Sequence, residues 1–205
     1  MLAIIEYGAG NQTSVLQALK HLKIDATITN DINILNQANG IIFPGVGQAS
    51  QAMQALKKLN LDDTLYKLIN KNIPLLGICI GCQILLEYSE ENDTKALGIF
   101  KGKCLRFPDS IQPIPHMGWN NINIKKNCIL LNDIDKNAEF YFVHSYYPEV
   151  DNQYIISTTT YGITFCSIYG RDGLWATQFH PEKSGRPGLK LLQNFAKYCK
   201  ELNHA

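Results

Sequence analysis

Residues 73–86 read IPLLGICIGCQILL, and they set the architecture. Ile73-Pro74-Leu75-Leu76-Gly77-Ile78 is apolar without alternation, the pattern of a strand buried on both faces. Gly77 and Gly81 then bracket Cys79 at minus two and plus two. Beyond this turn, "CQILLEYSEE" (82–91) reads as a helix. Strand, sharp turn and helix in that order make one βα step. Burial on both faces places the step in a parallel sheet covered by helices on each side.

Outward from that stretch, the first half repeats the rhythm. "LAIIEY" (2–7) is a buried strand bounded by Gly8 and Gly10. "TSVLQALKHL" (13–22) has helical spacing, "DATIT" (25–29) is strand-like, and "GIIFPG" (40–45) is a strand ending in a turn. "QASQAMQALKKL" (48–59) and "DDTLYKLINK" (62–71) read as helices. The second half is strand-rich and aromatic in "AEFYFVHSYY" (138–147), "QYIISTTTY" (153–161), "ITFCSIY" (163–169) and "LWATQFH" (174–180). Tyr161-Gly162 and Arg171-Asp172-Gly173 supply hairpin-like turns. "PGLKLLQNFAKYCKEL" (187–202) closes the chain as an amphipathic helix with Pro187 near its start. The expectation is a single α/β domain over 1–205. Its sheet is open and mostly parallel with helices on both faces, and its C-terminal part is antiparallel and strand-rich.

Composition narrows the function classes. The 205 residues are 45% hydrophobic and 18% charged, the globular range, with a net charge of +1. No basic excess points to nucleic acid or to an anionic membrane surface. The apolar N-terminus "MLAIIEYGAG" has no positive n-region and carries Glu6, so it does not read as a signal peptide. The longest apolar stretch is shorter than a membrane span and is broken by Pro, Gly and Gln. A cytoplasmic protein is expected. The six cysteines are irregularly spaced apart from Cys79 and Cys82, which argues against a disulfide framework.

Cys79 and Cys82 allow three readings: a redox dithiol, half of a metal site, or one nucleophile with a bystander. The symmetrical Gly-x-Cys-x-Gly is the nucleophile-elbow pattern with Cys in place of Ser, where the turn leaves room only for small residues two away on either side. A redox pair needs no such symmetry. A metal site needs a second ligand pair at matching spacing, and the other four cysteines are isolated. No metal is therefore assigned. Position favours the nucleophile: Cys79 ends a sheet strand, where open α/β sheets bind ligands, and precedes a helix N-terminus that favours a thiolate. Cys82 reads as a small core residue, although its spacing would let an oxidant join it to Cys79.

A nucleophilic cysteine needs a base, usually a histidine oriented by a third group. His21 lies on a helix face patterned for the surface, and His204 is at the C-terminus. His180 ends the "LWATQF" strand, with Glu182 two residues on. Cys79, His180 and Glu182 make a nucleophile, base and orienting acid in that chain order.

These residues resemble the class I, triad-type glutamine amidotransferases, through "GICIGCQ" and "FHPE". The narrower resemblance is to the family of glutaminase subunits of imidazole glycerol phosphate synthase. It rests on "EYGAGN" (6–11), "FPGVG" (43–47), "PHMGWN" (115–120), "FYFVHSYY" (140–147) and "QFHPEKSG" (178–185), which span the chain from end to end. The resemblance implies a flavodoxin-like fold, no cofactor, and glutamine as substrate. Cys79 attacks the side-chain amide, His180 moves the protons, and Glu182 orients His180. Backbone N–H groups of Ile80 and of the Val46–Gly47 turn hold the oxyanion. Gln83, His144, Ser145 and Tyr146 position the glutamine, with His144 as a wall of the site rather than a second base. The ammonia passes to a separate (β/α)8-barrel cyclase subunit of histidine biosynthesis. Met117, Trp119 and Asn120, in a loop, are expected at the interface with it, and Asn11 and Lys183 near it. A paralogue supplying ammonia for sugar amidination in surface-polysaccharide synthesis shares nearly all these motifs.

Overall fold

Leu2, Ala3, Ile4 and Ile5 are each at most 3% exposed, which fixes the first strand, β1 (Leu2–Ile5), in the middle of a sheet. The computed structural model describes residues 1–8 and 10–202. After β1 come α1 (Gln12–His21), β2 (Ala26–Thr29), α2 (Ile32–Gln37), β3 (Gly40–Gly45), α3 (Ala49–Lys58), α4 (Leu61–Asn70) and β4 (Leu75–Cys79). Then follow α5 (Ile80–Ile84), β5 (Tyr88–Ser89), β6 (Thr94–Lys95), β7 (Gly102–Arg106), β8 (His116–Asn121) and β9 (Asn123–Ile124). The remainder is β10 (Glu139–His144), β11 (Tyr146–Val150), β12 (Ile155–Tyr161), β13 (Ile163–Arg171), β14 (Leu174–Thr177) and α6 (Gly185–Leu202).

The main sheet has the order β2-β1-β3-β4-β14-β13-β12-β9. The first five strands are parallel in the 2-1-3-4-5 order of flavodoxin-like folds, with β14 as the fifth. From β14 onward the pairing is antiparallel. Two smaller antiparallel units, β10-β8 and β11-β7, sit beside it, and β11-β7 extends to β5-β6. Side-chain alternation divides the core in two. Ala3, Ile5, Ile41 and Phe43 pack with α3 and α4, while Leu2, Ile4, Ile42 and Leu76 pack with α1 and α6. No helix among the described residues is long and apolar enough to cross a membrane.

Three elements differ from expectation. The helix over 82–91 is only α5, Ile80–Ile84. The Ile84, Leu85 and Leu86 carbonyls accept instead from the N–H groups of Leu97, Gly98, Ile99 and Phe100, and Tyr88–Ser89 turns into a strand. All three of those apolar side chains are fully buried, so no polar face was available to continue a surface helix. The run 138–147 is two strands in different sheets, broken at Ser145, whose carbonyl accepts from Phe107 N–H at 3.0 Å. "PHMGWN", expected as a loop, is mostly strand β8, held by β10 in register from Glu139–Asn121 to His144–His116.

Candidate active site

Cys79 ends β4 in register with Gly45 of β3, which brings the Pro44–Gly47 turn alongside it. Its backbone has φ 53 and ψ −105, a left-handed conformation that L side chains rarely adopt. The glycines make this turn fit. A Cβ on Gly81 would stand 1.8 Å from the Phe43 carbonyl oxygen, and one on Gly77 would stand 2.8 Å from Leu85. Alternation along β4 would place Cys79 with Leu75 on the α3 side, but its positive φ breaks the alternation and it lies in the cluster that contains Ile78 and Phe179. Cys82 packs in the opposite cluster, fully buried, and its thiol is pushed well up by burial. No disulfide joins the two cysteines, and their side chains belong to different cores. That separation weighs against a dithiol cycle. Among the described residues no group of three or more His, Cys, Asp or Glu is placed to hold a metal.

His180 leaves β14 into a 3-10 turn, Pro181–Lys183, which carries Glu182 back against it. His180 Nδ1 lies 2.8 Å from Glu182 Oε1, with both side chains fully buried. A carboxylate only accepts here, so Nδ1 carries the hydrogen and Nε2 is left for proton transfer. Burial pulls the His180 pKa down, but Cys79 and Glu182 more than offset it, and it is pushed up to about 10. Asn11 adds a contact that the sequence did not announce. Its Nδ2 donates to Glu182 Oε1 at 2.5 Å and stands 3.2 Å from His180 Nδ1, where both groups are donors. Asn11 therefore holds the carboxylate expected to orient His180, which an interface position alone did not anticipate.

The residues expected around the substrate converge on one carbonyl. Gln83 Nε2 donates to the Tyr146 carbonyl at 3.0 Å, and His144 Nδ1 lies 2.8 Å from the same oxygen. Gln83 and His144 are buried, and Ser145 and Tyr146 are half-buried. His144 is desolvated to a pKa of about 3, with His116 and His180 also lowering it, which suits a neutral wall of the site. Ile80 follows the elbow as the first residue of α5, and Val46 and Gly47 close the neighbouring turn with Gly47 at φ +93. Met117 and Trp119 project from β8 at 63% and 53% exposure. Asn120 is half-buried, and Lys183 is exposed on the turn that carries Glu182. His21 is exposed, and His204 lies outside the described residues.

Three groups at the site were not singled out from sequence. Gln178 Nε2 points at Cys79 Sγ from 3.9 Å and its Oε1 accepts from Gln83 at 3.1 Å. Glu91 accepts from Ala49 N–H at 2.7 Å and lies close enough to Tyr146 to add to the burial that raises its phenol. His116 meets His144 ring to ring. Gln178 had a signal in its place two residues before His180, whereas His116 and Glu91 are found only through strand pairing and loop packing.

A strained cysteine elbow beside a buried His–Glu pair is the apparatus of amide hydrolysis through a thioester. The chain matches the family described as "Glutamine amidotransferase class-I" over residues 3–199. It belongs to the class I glutamine amidotransferases. Within that family it is 58% identical over 212 residues to the imidazole glycerol phosphate synthase subunit HisH of Maridesulfovibrio salexigens, covering all of both chains. The subunit of the same name from Methanocaldococcus jannaschii is 46% identical, over 96% of this chain and 99% of that one. Among solved structures, the fold is also that of a chain of PurLQS from Thermotoga maritima, with TM-score 0.73 and 16% identity over 96% of this chain and 97% of that one.

Proposed function

We propose that this chain is the glutaminase subunit of an imidazole glycerol phosphate synthase, making ammonia from glutamine for a cyclase subunit in histidine biosynthesis. The observation that carries the chemistry is Cys79 at a left-handed elbow, beside a His180 whose Nδ1 is committed to Glu182. The full-length identity of 58% to a HisH subunit carries the pathway. The Cys79 thiolate adds to the side-chain carbonyl of glutamine, and the carbonyl electrons move to oxygen. The collapsing oxyanion expels the nitrogen, which takes a proton from His180 Nε2 and leaves as ammonia. A thioester remains. His180 then removes a proton from water as it attacks the thioester, glutamate departs, and the thiolate returns. Glu182, held by Asn11, keeps His180 in the tautomer that this cycle needs.

The oxyanion sits between the Ile80 N–H and the Val46–Gly47 backbone. One such donor is typically worth about 10²–10³ in rate. Gly47 at φ +93 can present its peptide in either orientation, so turning one N–H toward the oxyanion is the step by which a partner raises activity. Gln83 and the segment His144–Tyr146 hold the substrate. Met117, Trp119 and Lys183 face a (β/α)8-barrel cyclase, with Asn11 behind them, while Asn120, expected with them, turns inward on β8 to His116 and the Thr160 carbonyl. The enzyme acts as one glutaminase domain, without a cofactor, in the cytoplasm, where reduced thiols persist.

The test is glutamate release from glutamine by this chain alone, and by this chain mixed with a cyclase partner plus its nucleotide ligand. Activity that rises sharply in the mixture and vanishes in Cys79→Ser is expected. Strong activity in the free chain would overturn the gating step. Activity that ignores this cyclase would move the assignment to the sugar-amidinating branch.

A further inference from the structure

Strand β8 has two different sides. Met117 and Trp119 are exposed, whereas His116 is 3% exposed. The His116 ring is sandwiched between Tyr161, with centroids 4.1 Å and planes 22° apart, and Phe142, at 4.9 Å and 25°. Phe107 and Phe165 meet it edge-on. Inside this aromatic cage both ring nitrogens have partners. Nδ1 lies 3.0 Å from His144 Nε2, and Nε2 lies 3.3 Å from Asn120 Nδ2.

Only one arrangement of hydrogens satisfies this line. A carbonyl oxygen can only accept. The Tyr146 carbonyl, 2.8 Å from His144 Nδ1, therefore puts the hydrogen on that nitrogen. His144 Nε2 is then an acceptor, and His116 Nδ1 must donate to it. His116 Nε2 in turn accepts from Asn120. From the far end the answer is the same. Asn120 Nδ2 also donates to the Thr160 carbonyl at 3.0 Å, and Asn120 Oδ1 accepts from Asn121 N–H at 2.9 Å, so this amide cannot turn over. Beyond Tyr146 the rule continues. Gln83 presents its NH2 to the carbonyl and to Gln178 Oε1, which turns the Gln178 NH2 toward Cys79. Burial keeps both rings neutral, at about 4 for His116 and about 3 for His144. Protonating either ring would set donor against donor.

We propose that His116 is a positioning residue for the glutamine site: by donating to His144 Nε2 it holds the neutral Nδ1–H ring against the Tyr146 carbonyl and, through that carbonyl, fixes the carboxamides of Gln83 and Gln178 beside Cys79. The proposal rests on the glutaminase reading and deepens it. Without the His116 donor, His144 Nε2 is a buried acceptor with no hydrogen. Shifting its proton to Nε2 would aim the Nδ1 lone pair at the Tyr146 carbonyl. That carbonyl anchors Gln83, so the effect falls on substrate binding before chemistry.

Two substitutions separate the hydrogen bond from the stacking. His116→Phe keeps a ring between Tyr161 and Phe142 and removes both hydrogen bonds. His116→Asn gives up the ring but places an amide donor near the lost Nδ1. The expected result for His116→Phe is a KM for glutamine raised about tenfold, the scale of one hydrogen bond, with kcat changed much less. His116→Asn should recover most of that loss. A purely structural role predicts the reverse order, with Phe harmless and Asn impaired. Imidazole nitrogen resonances of the ¹⁵N-histidine-labelled chain give a second readout. His144 should show Nδ1 as N–H and Nε2 as a hydrogen-bonded acceptor in wild type, with the Nε2 resonance moved to its unbonded position in His116→Phe and returned in His116→Asn. A wild-type KM in His116→Phe, or Asn no better than Phe, overturns the proposal, and if one variant fails to fold the other decides. If wild type releases no glutamate under any condition, it is the glutaminase reading that fails. The His144 resonances still decide the lock, and an unchanged pattern in His116→Phe overturns it.

Discussion

Gly81→Ala tests the elbow most severely. The added Cβ would stand 1.8 Å from the Phe43 carbonyl oxygen and 2.9 Å from its carbon, and real Cβ contacts do not fall below 3.0 Å. The two backbones must therefore part by at least the difference, 1.2 Å. Neither is a flexible side-chain end. Phe43 lies within β3, two residues before Gly45, and Gly81 lies two residues after Cys79. The separation falls between the Cys79 elbow and β3, where the proposed nucleophile and oxyanion donors must meet. Misplacing reacting groups by about 1 Å can cost on the order of 10² in rate. Overpacking a close-packed core costs about 1–3 kcal/mol. For a chain of this size each kcal/mol lowers Tm by roughly 2–4 °C, so a drop of about 2–12 °C is expected. Glutamate release by the complex and thermal unfolding of the free chain read the two effects. A folded Gly81→Ala with wild-type kcat would mean that the glycine is not needed to close the elbow.

Four further outcomes follow from the same geometry. Asn11→Ala removes a charge-assisted hydrogen bond to the buried Glu182, worth about 1.5–3 kcal/mol, so Tm should fall by roughly 3–12 °C and kcat at least about tenfold in the glutamate assay. Trp119→Ala, at an exposed position, should leave Tm unchanged and weaken cyclase binding by roughly thirtyfold in calorimetry, the scale of an aromatic hot spot. His116 and His144 titrate near 6.5 when unfolded but at about 4 and about 3 when folded, so the folded state refuses protons that the unfolded state takes up. Denaturant midpoints should therefore fall as pH drops below about 6.5, and less steeply in His116→Phe. His180 has the opposite sign: raised to about 10, it contributes stability that is complete below about 6.5 and lost as pH rises toward 10, so the alkaline fall in Tm should shrink in Cys79→Ala.

Much of this was legible in the sequence, and the reasons are particular. "LAIIEY", "GIIFPG" and "IPLLGI" read as strands because they are buried on both faces and need no alternation. The elbow was legible because sterics, not a preference, put glycine at 77 and 81. The helix after it was not, because the carbonyls that would have extended α5 are taken by residues 97–100, a competition that no local window contains. The Asn11–Glu182 hydrogen bond spans 171 residues, and the His116–His144 pair depends on the register of β8 against β10. A histidine beside an exposed Met and Trp looks like part of the same ridge until the strand's alternation turns it inward.

The most direct measurement is the intact mass of the chain, acid-quenched while the complex turns over glutamine and then mapped by peptide. A γ-glutamyl adduct is expected on Cys79, and none in Cys79→Ser. No adduct during turnover, or an adduct on Cys82, would contradict a thioester at Cys79.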